Sequence, residues 1–497
     1  MNVGQLTRIG GCLVLLACIA GNAAGARNKA PTKARNVILF VGDGMGIATV
    51  TAARILEGQQ RGGQGEDNVL SFERFPYTAF SKTYTLDFQV GESAGTITAM
   101  MSGEKTHSAV LGEGPGVTPG KCDGATAASI ATLLEQAEDR GLASGVVTTT
   151  RITHATPAGT YAHSASRDWE SDITTPAEAQ AQGCRDIARQ LVEFAHGDGI
   201  DVILGGGRAL FLPRDTADPA RPDQTGVRAD GRNLIDAWTQ GHSQRVYVEN
   251  TDQLNQVPVA RGTQVMGLFT ADHMNFEVDR PRGADGEPSL AEMTAKAIAI
   301  LAQRPKGYFL LVEGGRIDHG HHAGNAYRAL TDAIAFADAV AVADRLTDAK
   351  DTLIIATADH SHTLTISGYP ARGNPILGKA KAPDGSLELD ATGKPYTTLG
   401  YANGPGALEA SNVQGAGLKR LPHFAKQFDP APVARPDLTE VDTTAPDFMQ
   451  ESHVPMLSES HGGEDVPVYS RGPGSERVHG VIEQNQIYFI MKQAYGW

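Results

Sequence analysis

Tyr308-Phe-Leu-Leu-Val312 is followed directly by Glu313-Gly-Gly-Arg-Ile-Asp318-His319-Gly-His321-His322. A continuous run of large apolar residues predicts a strand that is buried on both faces of a parallel sheet. Asp318 and His322 are four residues apart, so on a helical turn their side chains project together and can bind one divalent ion. The sequence here predicts a buried strand that leads into a metal site.

Four other apolar runs also end in Gly, Asp, Arg or His. They are Asn36–Val41 before Gly42-Asp43-Gly44, Gly145–Thr149 before Arg151 and His154, Asp201–Leu204 before three glycines, and Thr352–Thr357 before Ala358-Asp359-His360. Helical stretches at Ala127–Arg140 and Leu290–Ala302 lie between these runs. The alternation predicts an α/β fold with a mostly parallel central β-sheet and helices on both faces. Ligands of such sheets collect beyond the carboxyl ends of the strands, where these polar residues fall.

The composition predicts a globular protein with an acidic surface. The chain has 497 residues, of which 41% are hydrophobic and 20% are charged. Its 43 Lys and Arg against 57 Asp and Glu give a formal net charge of -14. This charge disfavours nucleic acid or an anionic membrane as the main partner. An anionic substrate would need local positive charge, which bound metal ions supply.

Residues 1–26 are typical of a signal peptide. Arg8 precedes the apolar run Cys12–Ala20, and Ala24-Gly25-Ala26 supplies small residues for cleavage. The run is shorter than the roughly 20 residues of a membrane span, so no transmembrane span is predicted. A buried N-terminal helix is one alternative, and lipidation of Cys18 is another. We therefore expect an exported protein that is periplasmic or secreted. The alternative is an exported protein that is anchored to a membrane by a lipid on Cys18.

Outside the leader, the chain has two cysteines, Cys122 and Cys184. An oxidising compartment favours a disulfide between them, with two buried thiols as the alternative. The segment 373–450 is rich in Pro, Gly, Asp and Lys and is too long for an ordinary connection, which predicts an inserted surface lobe. Residues 27–497 are predicted to form a single α/β domain with this lobe inserted in it, because the motifs extend from Asp43 to His461.

Two further motifs carry groups that bind metals or anions. Asp359-His360 supplies a second carboxylate and imidazole, and His461-Gly-Gly-Glu-Asp465 supplies another imidazole. Imidazole and carboxylate ligands suit zinc, whereas carboxylate and hydroxyl oxygens suit magnesium. Ser93, in Gly91-Glu92-Ser93-Ala94-Gly95, precedes a predicted helix, whose N-terminus favours an anion. Taken alone, Ser93 is also compatible with a simple helix cap.

Six motifs occur together in one order. They are Val41-Gly-Asp-Gly-Met-Gly46, Gly91-Glu-Ser-Ala-Gly-Thr-Ile-Thr-Ala99, His154-Ala-Thr-Pro-Ala-Gly-Thr-Tyr-Ala-His163, Val312-Glu-Gly-Gly-Arg-Ile-Asp-His-Gly-His-His322, Thr357-Ala-Asp-His-Ser-His362 and His461-Gly-Gly-Glu-Asp-Val466. In this order they resemble the alkaline phosphatases, over about Asn36 to Ala494. The resemblance is closest to the branch that includes the animal enzymes, because His154 and His319 match histidines there.

The resemblance implies a function and a set of site residues. It implies metal-dependent hydrolysis of small phosphate monoesters through a phosphoserine at Ser93, with Arg167 holding the phosphate and Glu92 and His319 in the substrate site. It also implies two Zn²⁺ and one Mg²⁺. The implied ligands are Asp318, His322 and His461 for one zinc; Asp43, Asp359 and His360, joined by Ser93, for the other; and Asp43, Thr156 and Glu313, with His154 nearby, for magnesium. Cys122 and Cys184 match a disulfide position of the animal branch.

Other implications concern assembly and departures from the family. Family members are dimers, and Tyr369 resembles a residue that reaches toward the partner subunit, so we expect a homodimer. Glu92 and Ile97 stand where the family prefers Asp and a small residue. Only Glu287 keeps a carboxylate at the calcium position that also involves Thr270, so calcium is not predicted, and the C-terminal residues predict no lipid-anchor signal.

The alternative functions are a phosphodiesterase or sulfatase of the same superfamily, and a non-catalytic exported metal- or phosphate-binding protein.

Overall fold

The computed structural model describes residues 33–122, 128–430 and 434–497. The predicted signal peptide, residues 1–26, and Cys18 lie outside the described residues. The strands are β1 Asn36–Gly42, β2 Tyr77–Lys82, β3 Ala143–Arg151, β4 Val202–Gly206, β5 Arg245–Val248, β6 Gln264–Leu268, β7 Tyr308–Gly314, β8 Thr352–Ala358, β9 Ser361–His362, β10 Leu364–Ile366, β11 Leu399–Gly404, β12 Ala410–Ser411, β13 Phe428–Asp429, β14 Ser452–Pro455, β15 His461–Gly462, β16 Val466–Arg471 and β17 Gly480–Glu483.

The α-helices of the described residues are α1 Ile47–Gln60, α2 Ser93–Ser102, α3 Leu133–Asp139, α4 Ala155–Ala158, α5 Ala177–Ala181, α6 Ile187–Val192, α7 Leu234–Thr239, α8 Thr251–Gln256, α9 Leu290–Leu301, α10 Arg316–His322, α11 Ala326–Leu346 and α12 Gln486–Tyr495. Short 3-10 helices lie at Ser71–Arg74, Arg208–Phe211 and Ser475–Arg477. None of these helices is long and apolar enough to cross a membrane.

Ten strands form the central sheet, in the order β17-β2-β16-β8-β1-β7-β3-β4-β6-β5. Their pairings are parallel except where β16 meets β2 and β8. Each of the five apolar runs forms one of these strands, which confirms the predicted α/β class. The sheet order is not the chain order, so motifs far apart in sequence become neighbours at one edge.

Strand β1 shows why the apolar runs have no polar alternation. Ile38 and Phe40 pack into the hydrophobic cluster on one face of the sheet, while Val37, Leu39 and Val41 pack into the cluster on the other. Because helices cover both faces, every residue from Val37 to Gly42 is removed from water. The run thus contributes to two cores at once.

The first predicted helix is shorter than expected. Its prediction began at Ala127, which lies outside the described residues, whereas α3 begins at Leu133. Thr132 caps the N-terminus of α3 and so fixes where the helix begins. Its hydroxyl accepts a hydrogen bond from the backbone N–H of Glu135, and the Glu135 carboxylate accepts one from the backbone N–H of Thr132. Helix α9 ends at Leu301, one residue before its predicted end.

The segment 373–450 contains little regular structure in its described part. Strand β11 is its longest, and it pairs antiparallel with β10 and parallel with β14. Strands β12 and β13 form a separate two-stranded sheet. That these residues constitute an inserted lobe of one catalytic domain remains a prediction.

Candidate active site

Strands β1, β7 and β8 are adjacent in the sheet, and their carboxyl ends meet at one edge. Glu313 lies near the end of β7, and Asp43 and Asp359 directly follow β1 and β8. All three carboxylates are fully buried. Three anions this close in a dry site repel one another, so the edge requires cations or protons.

The first group of possible metal ligands consists of Asp318, His322, His362 and His461, whose ligand atoms all lie within 4.8 Å of one another. Helix α10 places Asp318 and His322 on one face, with His322 Nε2 3.3 Å from Asp318 Oδ1. The antiparallel pairing of β9 with β15 places His362 opposite His461. Burial opposes ionisation of Asp318, but the surrounding imidazoles outweigh it and hold its pKa well below the usual range.

The second group consists of Asp43, Asp318 and His360, and Asp359 lies beside it. The Nε2 atom of His360 lies 3.3 Å from both Asp43 Oδ1 and Asp359 Oδ2. The hydroxyl of Ser93 lies 3.4 Å from the same nitrogen and 3.5 Å from Asp43 Oδ1. Burial first, and then the charge of Asp359, raises the pKa of Asp43 well above its usual value. The Ser93 hydroxyl is therefore placed at the rim of a ligand group rich in oxygen and nitrogen.

The third group consists of Asp43, His154 and Glu313, so Asp43 belongs to two groups. One carboxylate oxygen of Glu313 accepts hydrogen bonds from the hydroxyls of Thr148 and Thr150. Burial raises the pKa of Glu313 to about 7, although the Thr148 hydroxyl lowers it. Asp43 is thus shared by two neighbouring groups of possible metal ligands.

Buried polar atoms that lack a hydrogen-bond partner indicate whether a group of side chains fits a cation. Three members of the third group and the neighbouring Thr156 each carry a buried atom without a hydrogen-bond partner among the described residues: Asp43 Oδ2, Glu313 Oε1, His154 Nδ1 and Thr156 Oγ1. Leaving buried polar groups unpaired is costly, and a cation with oxygen ligands would satisfy the three oxygen atoms at once. The residues present therefore fit divalent ions.

Ser93 is the first residue of α2, and the whole helix is buried. Glu92 caps it, because its carboxylate accepts from the backbone N–H groups of Ala94 and Gly95 at 3.0 Å and 2.7 Å. The cap holds the Ser93 hydroxyl at the positive end of the helix dipole. The residue directly before Ser93 in the sequence therefore sets its position at the helix N-terminus.

Glu92 also connects the helix to Arg167. Its Oε2 accepts from Nη1 of Arg167 at 2.7 Å, and its Oε1 accepts from the backbone N–H of Ala109 at 2.8 Å. The carbonyl of Ala109 accepts the backbone N–H of Arg167. Ala109 has a φ of 64°, which is the left-handed region that a side chain disfavours. Ala109, in this strained backbone conformation, therefore holds both Glu92 and Arg167 through main-chain hydrogen bonds.

The other end of the Arg167 guanidinium contacts His154, with Nη2 3.0 Å from Nε2. Burial, and then the charge of Arg167, holds the pKa of His154 well below its usual value. His154 therefore accepts from Arg167 through Nε2. The guanidinium is fixed at two ends, with the fork geometry that suits two oxygens of one phosphate.

The histidines of the β7–α10 motif point in different directions. His319 lies beside His154, with ring centroids 5.5 Å apart, and its Nδ1 is 2.8 Å from Nη1 of Arg316. His321 instead contacts Thr49 and Tyr401 on the side of the core. Only His322 joins the first ligand group.

Other predicted positions are resolved as follows. Cys122 and Cys184 form a disulfide. Ile97, which stands where the family prefers a small residue, packs against Gly159. A Cβ at Gly159 would lie 2.4 Å from Ile97 Cγ2, so the glycine leaves room for the larger side chain. Tyr369 is 89% exposed, which leaves its ring available for a contact outside the chain.

The two residues of the considered calcium position line a cavity of about 550 Å³. The Thr270 hydroxyl donates to the carbonyl of Asp272. The Glu287 carboxylate accepts from the backbone and side-chain amides of Asn275. Each oxygen of Glu287 therefore has a hydrogen-bond partner within the protein.

The site ligands inferred from the sequence did not include His362 or Glu459. His362 follows Asp359-His360 by two residues, so its place in an alternating strand was a usable signal. Glu459 has no such signal, because its contacts with the site are to His362 and His322, which lie 97 and 137 positions away in the chain. Ala109 was also missed, since nothing in its local sequence indicates a positive φ.

The comparisons with known proteins agree with this geometry. The family model described as alkaline phosphatase matches residues 34–497. The chain is 44% identical to the tissue-nonspecific alkaline phosphatase of Gallus gallus, covering 93% of this chain and 84% of that protein. It is 41% identical to an alkaline phosphatase of Gadus morhua, covering 93% and 92%.

Among solved structures, the fold is similar to that of the Thermus thermophilus alkaline phosphatase, with a TM-score of 0.63 and 24% identity over 97% of this chain and 96% of that one. The enzyme of the Antarctic bacterium TAB5 gives a TM-score of 0.61 at 21% identity, over 94% and 99%. The motifs, the clustered metal-binding side chains and the extent of these matches lead to one conclusion: the chain belongs to the alkaline phosphatase family and is a hydrolase of phosphate monoesters.

Proposed function

We propose that Ser93 is the nucleophile of this phosphatase and forms a phosphoserine intermediate. Its hydroxyl lies at the N-terminus of α2 and within 3.5 Å of Asp43 and His360. Ser93 Oγ gives up its proton and bonds to phosphorus while the bond from phosphorus to the ester oxygen breaks, and that oxygen takes up a proton from solvent and leaves as the alcohol. Water then hydrolyses the phosphoserine, which releases inorganic phosphate and restores the Ser93 hydroxyl. The observation that carries this proposal is that the Ser93 hydroxyl lies against a ligand group while Glu92, the residue directly before it, holds Arg167.

Arg167 binds two non-bridging phosphate oxygens through its planar fork. Glu92 and His154 hold the guanidinium from either end, so little conformational freedom is lost when substrate binds. His319, beside His154, completes the polar wall of the substrate site. This assignment makes Glu92 a positioning residue rather than a phosphate ligand, because two anions would repel.

We assign two Zn²⁺ and one Mg²⁺ to the three ligand groups. Asp318, His322 and His461 would hold one zinc; Asp43, Asp359 and His360, with Ser93, the other; and Asp43, Thr156 and Glu313, with His154 nearby, the magnesium. When bound, these ions supply positive charge that stabilises the phosphoryl oxygens and favours ionisation of nearby hydroxyls. The chemistry of the donors supports the division: imidazole predominates in the first group and oxygen in the third.

The decisive experiment is the Ser93→Ala variant with an aryl phosphate at alkaline pH. We expect turnover to fall by at least about 10³-fold, because the covalent route is lost, while zinc content stays at the wild-type value. Unchanged turnover would exclude the mechanism. A panel of phosphate monoesters, diesters and sulfate esters, assayed before and after chelation, distinguishes this activity from a diesterase, a sulfatase or a non-catalytic binding protein.

We also propose that the protein is exported and forms a homodimer. The disulfide suits an oxidising compartment, and the leader of residues 1–26 would direct export. The exposed Tyr369 ring supports a contact with the partner subunit. Light scattering should give a mass near twice 52.4 kDa, less the leader, and Tyr369→Ala should weaken the dimer. A monomeric wild-type protein would refute the dimer.

A further inference from the structure

The carboxylate of Glu459 is buried and fully hydrogen-bonded. Its Oε2 lies 2.5 Å from Nδ1 of His362, and its Oε1 accepts from the backbone N–H and the hydroxyl of Thr363 at 2.7 Å and 2.6 Å. Only 1% of Glu459 is exposed. A carboxylate is removed from water at this cost only where it has such partners.

His362 joins Glu459 to the first ligand group. Its second ring nitrogen, Nε2, lies 2.7 Å from Asp318 Oδ1. Both nitrogens therefore face carboxylate oxygens, and neither offers a free lone pair to an ion. Although His362 lies among the possible ligands, its contacts make it a support for Asp318.

Space for this ring is provided by Gly44, which follows Asp43. A Cβ at Gly44 would lie 2.3 Å from His362 Nε2, and the φ of +67° at this position also favours glycine. The imidazole is thus confined between the β1–α1 loop and Glu459. Confinement holds the ring against Oδ1 of Asp318, the same oxygen that lies 3.3 Å from Nε2 of His322 and 3.5 Å from Nε2 of His461.

The main chain of Glu459 holds a second imidazole. Its carbonyl oxygen accepts from Nδ1 of His322 at 2.5 Å, and its N–H donates to the carbonyl of His322 at 3.0 Å. This orients Nε2 of His322 toward the ligand group. One residue, 137 positions along the chain from His322, therefore holds two neighbours of the same site.

We propose that Glu459 is a positioning residue for zinc bound by Asp318, His322 and His461, acting on Asp318 through His362 and on His322 through its own carbonyl. The inference rests on the proposed function for the assignment of these three ligands. Residues that support metal ligands in this way typically change metal affinity by 10–100-fold when they are replaced. Glu459 itself touches neither substrate nor metal.

The test uses Glu459→Gln in the full-length protein. Metal-free protein is titrated with Zn²⁺ in competition with a chromophoric chelator. We expect one zinc equivalent to bind about 10–100-fold more weakly than in the wild type, with the other equivalents unchanged. Equal binding of every equivalent would overturn the proposal.

The matched control is Glu135→Gln, because Glu135 also accepts from an imidazole, Nε2 of His163 at 2.7 Å, is buried, and like His163 is in none of the ligand groups. It should bind zinc as the wild type does. If Glu459→Gln does not fold, Thr363→Val decides: loss of one hydrogen bond to Glu459 should weaken the same equivalent about threefold, and no change would refute the inference.

These titrations do not need turnover. The result for Glu459 therefore stays separate from the Ser93→Ala result, and either proposal can fail alone.

Discussion

Glu92 Oε2 accepts a hydrogen bond from Arg167 Nη1 at 2.7 Å, while the same carboxylate caps the helix that begins with Ser93. Ser93, the proposed nucleophile, and Arg167 are therefore positioned by one side chain. Burial opposes ionisation of Glu92, but Arg167 and three backbone N–H groups outweigh it and lower its pKa. The first prediction tests this coupling.

Glu92→Gln keeps the length of the side chain and removes its charge. We expect the inhibition constant of inorganic phosphate to rise about tenfold, because a charge-assisted hydrogen bond that fixes Arg167 loses roughly 1.5 kcal/mol. The measurement is competitive inhibition by phosphate, with KM alongside. Glu92→Asp, which keeps the charge, serves as the control and should change less. A phosphate affinity equal in Glu92→Gln and wild type would contradict the coupling.

Glu138→Gln should stabilise the protein at alkaline pH. Burial raises the pKa of Glu138 to about 8, and its Oε2 has no hydrogen-bond partner among the described residues. Between the ordinary carboxyl value and about 8 the folded state alone retains the proton, so wild-type stability falls as pH rises through this window. Glutamine is neutral throughout.

The measurement is Tm of both proteins at pH 6, 7.5 and 9. The Tm of Glu138→Gln minus that of the wild type should grow by a few degrees as pH rises and should become constant above about pH 8, the pKa of Glu138. Glu104→Gln, at an exposed position, should show no such trend. A difference that is constant with pH would exclude Glu138 as the cause.

Removing the disulfide should lower stability without changing the site. Cys122 and Cys184 are 62 residues apart, and the loop-entropy model gives about 4 kcal/mol for a crosslink of this length. The cysteines pack in a small cluster with Trp169 and Ala165. Cys122→Ser/Cys184→Ser should therefore unfold at lower urea concentration, while zinc content and KM stay constant. An unchanged urea midpoint would show that the crosslink contributes nothing.

Ile97 and Gly159 should behave as a coupled pair. Gly159→Ala would place a methyl group 2.4 Å from Ile97 Cγ2, and overpacking of this kind costs about 1–3 kcal/mol. Ile97→Ala alone leaves a cavity that costs about 2–5 kcal/mol. In the double variant the two changes should partly compensate, which a double-mutant cycle of urea unfolding measures. Strict additivity would show that the contact carries no coupling.

The sequence alone determined the secondary structure around the site. Five continuous apolar runs specified five strands, because a strand covered on both faces needs no polar residues. The four-residue spacing of Asp318 and His322 specified a pair on one helical face, and it did so without any information from distant residues. Hydrophobic periodicity and residue spacing depend on neighbouring residues alone, so they can be read from the sequence without the fold.

The tertiary structure decided which side chains act together. The sheet order places β8, β1, β7 and β3 side by side, and this brings Asp43, Glu313 and Asp359 to one edge. It also created contacts with no local signature: Glu459 to His362, and Ala109 to both Glu92 and Arg167. Such contacts join residues through strand pairing and loop closure, whose partners lie tens or hundreds of positions away. Local pattern therefore specified the elements of the site, and long-range packing specified what holds them in place.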